Sequence, residues 1–225
     1  MSDFYLGQQN SFNTSSEFGE LRDNYIYNSL TKKYEDGFHE GIDYVSPINK
    51  QQVINNELSG VIFDKSSTVK GYGQKLIVKS DLGFLHNSLK NLTVYTLYGH
   101  LHNYSEEAVK IYVQPTKFIA AGTPIGNMGN TGGCMTRILK WNSGISPTFG
   151  SYRYITPEEA LDSNFPGGVH LHLSFYVLDK KIIEKITQDL ILDAKKLANT
   201  FYIYQWGKYW INPKFVFKFL DLYRS

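Results

Sequence analysis

Four of the six histidines lie in two stretches that share the tripeptide His-Leu-His: "YGHLHN" at 98–103 and "GGVHLHLSF" at 167–175. The second stretch alternates as a strand does, with apolar side chains on one face and His170, His172 and Ser174 on the other. Two imidazoles on the same face of a rigid strand can meet one metal ion or one substrate group. An isolated His-x-His is more often a polar strand edge, so the pair needs partners from elsewhere in the chain.

A second candidate group lies in "FHEGIDYV" at 38–45. On an extended chain His39 and Asp43 share a face. Gly41 and the following Ile-Asp-Tyr-Val run argue against a helix, so this is not the helical HExxH zinc motif. Taken alone, His39 and Asp43 are more commonly turn and surface residues than ligands.

The two groups become informative together. Catalytic zinc needs three nitrogen or oxygen ligands and an open position for water. His39, Asp43 and His172 would supply that set if the fold brings their strands together. His170 and His100 would then be uncoordinated imidazoles beside the bound water, suited to proton transfer and to stabilising an oxyanion.

Composition narrows the classes of protein. The 225 residues suffice for one large domain, and an aromatic content of 15% favours strands. The net charge of +2, without a dense Lys/Arg patch, does not indicate a nucleic-acid partner. A single cysteine, Cys134, excludes an intramolecular disulfide and a cysteine-based zinc cluster. No apolar run approaches the length of a membrane span, and the start of the chain has no signal-peptide pattern.

The spacing of turn residues predicts how these groups are held. Residues 1–17 are polar and predict an extended or poorly ordered N-terminal extension. From about 37 to 133, short β-branched and aromatic runs separated by Gly, Pro and Asn predict strands, including "IYVQP" at 111–115. Residues 134–166 have little periodicity and predict a long loop insertion, with one helical turn at "TPEEALD". Residues 180–199 carry a helical apolar stripe. The C-terminal segment predicts a hairpin and a closing segment.

These motifs, in this order, resemble the lysostaphin-type zinc endopeptidases that cut peptide bonds in bacterial peptidoglycan. The resemblance runs through most of the chain. Its motifs are, in order, "FGELR" with Arg22 one position late, "FHEGIDYVSP", "SGVIFD", "GYGQKLIVKS", "YGHL", "AAGTPIGNMGNTGG", "GVHLHLSF" and "WINPKFV". The HxxxD, YxHL and HxH motifs around a glycine-rich turn form a specific signal.

The resemblance implies a mainly β fold, with an antiparallel β-sheet or sandwich core, one added helix, and a single peptidase domain over 18–225. It assigns one Zn²⁺ per chain to His39, Asp43 and His172. It gives the catalytic roles to His170, which would take the proton of the water, and to His100, which would stabilise the tetrahedral intermediate. Family members also use a tyrosine shortly before the first ligand, for which Tyr34 is the nearest candidate.

The chain departs from the family pattern at about 83–94, at 134–166 and at 180–199. The second insertion directly precedes the strand of His170 and His172, so it is predicted to form a wall or lid on the groove. The identity of the substrate is therefore not determined by the resemblance. Trp141, Tyr152 and Tyr154 would line a sugar- or peptide-binding wall or simply pack the insertion down. The other histidine of "YGHLHN", His102, is expected at the surface.

The resemblance predicts a hydrolase with peptidoglycan peptides as partners and a location in the cell envelope, either periplasmic or secreted. The alternative is a catalytically idle envelope protein of the same fold that binds peptidoglycan or regulates another hydrolase. The presence of all five expected residues favours the enzyme. A peptidase for proteins other than the cell wall is a third, weaker possibility.

Overall fold

The structure is a computed structural model, and it describes residues 12–28, 33–140, 148–197 and 200–223. The strands are β1 (Asn13–Ser16), β2 (Leu21–Asn28), β3 (Lys33–Phe38), β4 (Ile42–Val45), β5 (Val53–Asn55), β6 (Gly60–Ser67), β7 (Gln74–Asp81), β8 (Thr93–Leu101), β9 (Asn103–Tyr104), β10 (Phe118–Ile119), β11 (Pro124–Asn127), β12 (Met135–Lys140), β13 (Thr148–Tyr154), β14 (Leu171–Val177), β15 (Tyr202–Gln205) and β16 (Lys208–Ile211). The helices are α1 (Glu106–Tyr112), α2 (Pro157–Leu161), α3 (Lys181–Asp189), α4 (Ala194–Leu197) and α5 (Pro213–Asp221). None of the helices in these described ranges is both long and apolar enough to cross a membrane.

The main sheet has nine strands and runs in the order β1-β4-β14-β8-β7-β6-β10, with β16 beside β14 and β15 beside β16. Its strand pairs are antiparallel. A smaller sheet is formed by β5, β11 and β9, and two further strand pairs are β2 with β3 and β12 with β13. The predicted fold class, mainly β with an antiparallel sheet core, is confirmed.

Strand β14 lies at the centre of this sheet, and all seven of its residues are buried. One edge pairs with β8, while the other pairs first with β4 and then with β16. Helix α5 covers its apolar face, where the rings of Phe175 and Phe217 meet edge to face with centroids 5.2 Å apart. The His-x-His strand is therefore fixed on three sides, as a rigid platform for its polar face requires.

The helices depart from the prediction of one added helix. The 180–199 region contains two helices, α3 and α4, and α5 follows the predicted C-terminal hairpin. The run "IYVQP", predicted as a strand, instead begins with the last two residues of α1, Ile111 and Tyr112, and continues as a turn. Ser105 accepts a hydrogen bond from the Ala108 amide and so caps α1, and Glu106 and Glu107 occupy its first turn. This N-terminal signal outweighs the β-branched residues that follow.

The 134–166 insertion is not the loop that its weak periodicity predicted. Strands β12 and β13 form an antiparallel hairpin, whose tip lies outside the described residues. Helix α2 follows, and the predicted cap at Thr156 is confirmed as a capping box with Glu159. A small apolar cluster lies within the insertion, formed by Cys134, Ile155 and Ala160 with Phe165 packed against them. The hairpin was missed because its regularity comes from cross-strand pairing rather than from an alternating sequence.

A buried lysine ties the insertion to the core of the domain. The Lys50 side chain is 5% exposed, and its Nζ donates hydrogen bonds to the carbonyls of Glu159, at 3.2 Å, and Ala160, at 3.1 Å. It also donates to the carbonyl of Asp162. A cation at these carbonyls satisfies groups that the end of α2 would otherwise leave unpaired. The insertion is therefore anchored at its helical end.

The buried Glu57 makes the stability of the fold depend on pH. Its side chain is 3% exposed, its Oε2 has no hydrogen-bond partner among the described residues, and burial raises its pKa to about 8 from an ordinary value of 4.5. Between those two values the unfolded chain is ionised and the folded chain is not. The free energy of unfolding should therefore fall by about 1.4 kcal/mol per pH unit as pH rises through this window.

We expect Glu57→Gln to remove this slope. Below the ordinary pKa the carboxyl is protonated in both states, so the two proteins should differ little there, and the advantage of the variant should grow up to about pH 8. Urea unfolding of both proteins at several pH values measures the difference. Glu106→Gln, at an exposed carboxylate paired with Lys110, is the control and should give a curve parallel to that of the wild type. A parallel curve for Glu57→Gln would contradict the prediction.

Candidate functional site

Strand register brings the first three predicted site residues together. His172 of β14 lies opposite Asp43 of β4, so their side chains leave the sheet on the same face. His39, just before β4, completes the group. His39 Nε2 lies 3.1 Å from Asp43 Oδ1 and 3.1 Å from His172 Nδ1, and His172 Nδ1 lies 2.9 Å from Asp43 Oδ1. The predicted ligand set is therefore assembled in space.

The ring nitrogens of His39 and His172 that point away from Asp43 make hydrogen bonds of their own. These bonds determine whether the nitrogens that face Asp43 can bind a cation. His39 Nδ1 lies 2.9 Å from the Glu17 carbonyl, which can only accept, so Nδ1 carries the proton and the neutral ring has a lone pair at Nε2. His172 Nε2 lies 2.6 Å from Ser174 Oγ, which can accept a hydrogen bond from a proton on Nε2, and Nδ1 then has a free lone pair. Three acceptor atoms then converge, and a divalent cation satisfies all of them. The donor set of two imidazoles and one carboxylate fits zinc.

Asp43 supplies the negative charge of the group. Burial acts to raise its pKa, but the neighbouring His170, together with His172 and His39, which donate hydrogen bonds to Asp43 when their rings are protonated, holds that pKa well below its ordinary value. Burial likewise acts to lower the pKa of His39, and the hydrogen bond to Asp43 overcomes it, so the His39 pKa is raised. The second carboxylate oxygen, Oδ2, lies 3.9 Å from Arg22 Nη2. Asp43 is therefore a permanent carboxylate at neutral pH.

Because Gly41 has no side chain, the backbone before β4 can lie directly against β14. A Cβ at this position would lie 2.6 Å from each of His172 Nε2, the Leu173 carbonyl oxygen and Ser174 Oγ. Because one of these atoms belongs to the backbone of β14, relief requires the two strands to move apart. The glycine in "HEGID" is thus required by packing between β4 and β14.

We expect Gly41→Ala to lower the free energy of unfolding by about 1–3 kcal/mol and to weaken metal binding, because the new methyl group displaces His172 from Ser174. Gly83→Ala is the matched control, since its Cβ would meet Asp81 Oδ1 at 3.1 Å and Lys90 Cα at 3.2 Å, which are longer than the contacts at Gly41. Chemical denaturation and zinc affinity measure the two effects. Equal stability and equal zinc affinity for the two variants would contradict the account of Gly41.

His100 reaches the same face through an irregularity in β8. Gly99 is the residue opposite His172, so a regular strand would point His100 to the other face. Two residues of β8, Gly99 and His100, oppose the single Lys75 of β7, and His100 has a φ of 60°, in the left-handed region. Its ring centroid lies 4.5 Å from that of His170. The backbone distortion therefore re-aims His100 into the site, a feature common at functional positions.

The other two predicted histidines, His100 and His170, are adjacent to the ligand group. His170 Nε2 lies 3.8 Å from Asp43 Oδ1. Burial lowers the pKa of His100. Burial acts in the same direction on His170, but the Asp43 carboxylate overcomes it and the His170 pKa is raised. All five residues named from the sequence thus line one cluster.

Tyr72 belongs to this cluster, although no motif indicated it. Its ring centroid lies 5.2 Å from that of His172 and 6.4 Å from that of His100. Its hydroxyl donates a hydrogen bond to the buried carboxylate of Glu40, and its carbonyl accepts one from the His100 amide at 2.7 Å. The only sequence signal was the pair of flanking glycines in "GYGQ". Tyr72 is the tyrosine beside the histidines in the described part of the chain.

The remaining predicted contacts are only partly visible. Tyr34 lies in β3 and Tyr152 in β13, but their side chains fall outside the described residues, as does Trp141 altogether. Tyr154 is 69% exposed, so it does not pack the insertion down. His102 is partly buried rather than a plain surface residue, and its Nδ1 is buried without a hydrogen-bond partner in the described ranges.

Similarity to known proteins is found in the three-dimensional structure and not in the sequence. No family model and no curated protein matches the sequence. The chain is similar to lysostaphin from Staphylococcus simulans, an antimicrobial peptidase, at 17% identity over 79% of this chain and 47% of that one, with a TM-score of 0.41. It is also similar to the catalytic domain of the prophage-encoded M23 protein EnpA from Enterococcus faecalis, at 18% identity over 73% and 79% of the two chains, with a TM-score of 0.37.

A third similar structure is a putative glycyl-glycine endopeptidase from Ruminococcus gnavus, at 20% identity over 83% of this chain and 48% of that one, with a TM-score of 0.39. The resemblance is to M23 peptidases. It is the resemblance that the sequence motifs predicted. At these identities and TM-scores, any activity has to be argued from this chain's own residues.

Proposed function

We propose that the protein is a zinc-dependent endopeptidase that hydrolyses peptide bonds in bacterial peptidoglycan, in the stem peptide or the cross-bridge. One observation carries the proposal. Three acceptor atoms from His39, Asp43 and His172 converge within 3.1 Å of one another. The imidazoles of His100 and His170 lie beside them but do not belong to this group of three. This arrangement separates metal binding from proton transfer, which metal-assisted hydrolysis requires.

His39, Asp43 and His172 would hold one zinc ion. When bound, zinc polarises the scissile carbonyl and lowers the pKa of water toward neutrality. The carbonyl of Glu17 and the hydroxyl of Ser174 fix the ring orientations of the two histidine ligands, as outer hydrogen bonds do in zinc sites. The chain thereby orients its ligands before any metal arrives.

His170 would act as the general base. Its Nδ1 lies 2.8 Å from the Gly168 carbonyl and therefore holds a proton, so the neutral ring accepts at Nε2. In this scheme Nε2 takes a proton from the attacking water while the water oxygen bonds to the scissile carbonyl carbon. The Asp43 carboxylate, 3.8 Å away, stabilises the imidazolium that results. The same proton then passes to the leaving amine as the carbon–nitrogen bond breaks.

His100 would support the developing oxyanion. Its Nδ1 lies 2.7 Å from the Thr131 carbonyl, so a protonated His100 donates from Nε2 towards the cleft. Burial opposes this charged form and lowers the pKa of His100, while the Thr131 carbonyl favours it, so in this scheme the negative charge of the oxyanion would hold the proton on the ring. The division of labour follows from position, because His170 is the imidazole whose Nε2 approaches Asp43.

The substrate class and location rest on the motif resemblance. A peptidoglycan substrate would place the protein in the cell envelope, periplasmic or secreted. The β12–β13 hairpin begins beside the His-x-His strand: a Cβ at Gly168 would lie 2.7 Å from the Met135 carbonyl oxygen. We infer that this hairpin forms one wall of the groove and that Tyr154 is available there to a peptide or a sugar.

Purified sacculi provide the test. Metal-free protein is restored with zinc and incubated with sacculi, and the new peptide ends are identified by mass spectrometry. We expect new amino termini at one type of peptide bond, and none with metal-free protein or with His170→Ala. A zinc-loaded wild type that binds sacculi without producing new ends would contradict the enzyme and favour the idle envelope protein. Cleavage of unrelated proteins but not of sacculi would contradict the substrate class.

A further inference from the structure

A second group of metal-ligating side chains adjoins the first. His100 lies in β8, Cys134 in the turn before β12 and His170 directly before β14, and each offers a ligand atom within 4.8 Å of the others. Donor atoms around a tetrahedral zinc ion lie roughly 3.4–3.8 Å apart. Small side-chain movements would therefore bring the three donor atoms to the separations found around zinc.

Both imidazoles of this second group are already oriented for coordination. The carbonyls of Thr131 and Gly168 lie 2.7 and 2.8 Å from the Nδ1 atoms of His100 and His170, respectively. A carbonyl can only accept, so each neutral ring has its lone pair at Nε2. Such an outer carbonyl is the usual partner of a metal-bound histidine.

Cys134 contributes the third donor from a buried position. It is 2% exposed and packs with Ile155 and Ala160 in the small apolar cluster of the insertion. Its Sγ lies 3.4 Å from the Thr131 carbonyl and within 4.8 Å of a ring nitrogen of each of the two histidines. The sulfur is therefore turned toward the two histidines rather than only into the apolar cluster. A bound cation deprotonates a coordinating thiol, and its positive charge compensates the negative charge of the buried thiolate.

We propose that His100, Cys134 and His170 form a second site for a borderline-soft divalent cation such as Zn²⁺ or Co²⁺. Thiolate and imidazole ligands select such ions over Mg²⁺ and Ca²⁺. The site is adjacent to the first, since His170 Nε2 lies 3.8 Å from Asp43 Oδ1. One negative side chain, Asp43 or Cys134, accompanies each ion, which moderates the repulsion between them.

Occupation of the second site has a consequence for catalysis, which rests on the proposed function. The ion would take the Nε2 lone pairs of His170, the atom assigned to proton transfer, and of His100, the atom assigned to the oxyanion. Zinc in excess of the first equivalent would therefore inhibit peptide cleavage. Cys134→Ser should shift this inhibition to a zinc concentration at least about 10-fold higher, because loss of a ligand exceeds the effect of losing an outer-shell partner.

Titration of the metal-free protein with Co²⁺ tests the site without reference to activity. We expect the wild type to bind two equivalents and to develop a thiolate-to-cobalt charge-transfer band in the near ultraviolet. Because Cys134 is the chain's only cysteine, any such band reports on it. Cys134→Ser should bind one equivalent and show no band, and the equivalent that it retains demonstrates a folded first site. Asp43→Ala should retain the band.

Each outcome is decisive. A wild type that binds one equivalent, or binds two without a sulfur band, overturns the second site and leaves Cys134 as a packing residue. If Cys134→Ser fails to fold, the wild-type band alone decides. The sulfur band together with sacculi that remain uncut means that the second site stands while the proposed function fails. Cleavage without the band means the reverse.

Discussion

Replacing Asp43 with alanine is expected to weaken zinc binding at the first site at least about 100-fold and to reduce sacculus cleavage by more than about 10³-fold. Asp43 is the only carboxylate within 3.1 Å of both His39 Nε2 and His172 Nδ1 among the described residues. Its loss leaves two neutral imidazoles, which do not hold a catalytic zinc ion. It also removes the carboxylate that stabilises the charged form of His170.

The measurement is zinc affinity by competition with a chelator, carried out in the Cys134→Ser background so that the thiol adds no binding. Asp193→Ala, at an exposed carboxylate in the region of α3 and α4, is the matched control and should retain both affinity and cleavage. An Asp43→Ala protein that binds zinc as tightly as its parent would show that the ligand set is wrong.

Replacing His170 with glutamine is expected to lower the rate of cleavage by about 10²–10⁴-fold while leaving zinc at the first site. The glutamine amide keeps a polar side chain of similar reach but cannot take a proton from water. His170 is not one of the three converging donors, so the affinity of that site should change little. The combination of retained metal and lost rate separates a proton carrier from a ligand.

The other His-Leu-His stretch offers the matched control. His102→Gln makes the same substitution at a histidine outside the cluster, and we expect cleavage within about threefold of the wild type, the range usual for changes away from a site. Steady-state rates on sacculi or on a defined muropeptide, with zinc content measured in parallel, test both variants. Equal loss of rate in both would remove the distinction between the two stretches.

The sequence predicted the members of this site because each lies in a short motif of its own, although the chain order of the three strands, β4, β8 and β14, differs from their order in the sheet, β4-β14-β8. Asp43 and His172 each lie on the polar face of a short alternating strand, and pairing those strands in register brings them together. Hydrophobic alternation fixes that register, since a slip of one residue would turn His172 into the core. Local pattern and tertiary contact agree at these positions.

Other features could not be predicted, because they arise from the packing of distant segments. The φ of His100 depends on a bulge between β7 and β8, and a regular strand would have turned this ring away. Tyr72 lies in a turn before β7, and its distance along the sequence from the histidines has no regular pattern that would indicate contact. Cys134 joins His100 and His170 only because the insertion folds as a hairpin against the start of β14. A single sequence contains no periodic signal for any of these three placements.

Restoring zinc to the metal-free protein and counting the amino groups released from purified sacculi is the most direct test of the central claim. The account predicts that release begins only when zinc is added to the wild type, and that Asp43→Ala releases almost none at the same total zinc. Equal release by the two proteins, or no release by a wild type that has bound one equivalent of zinc, would contradict it.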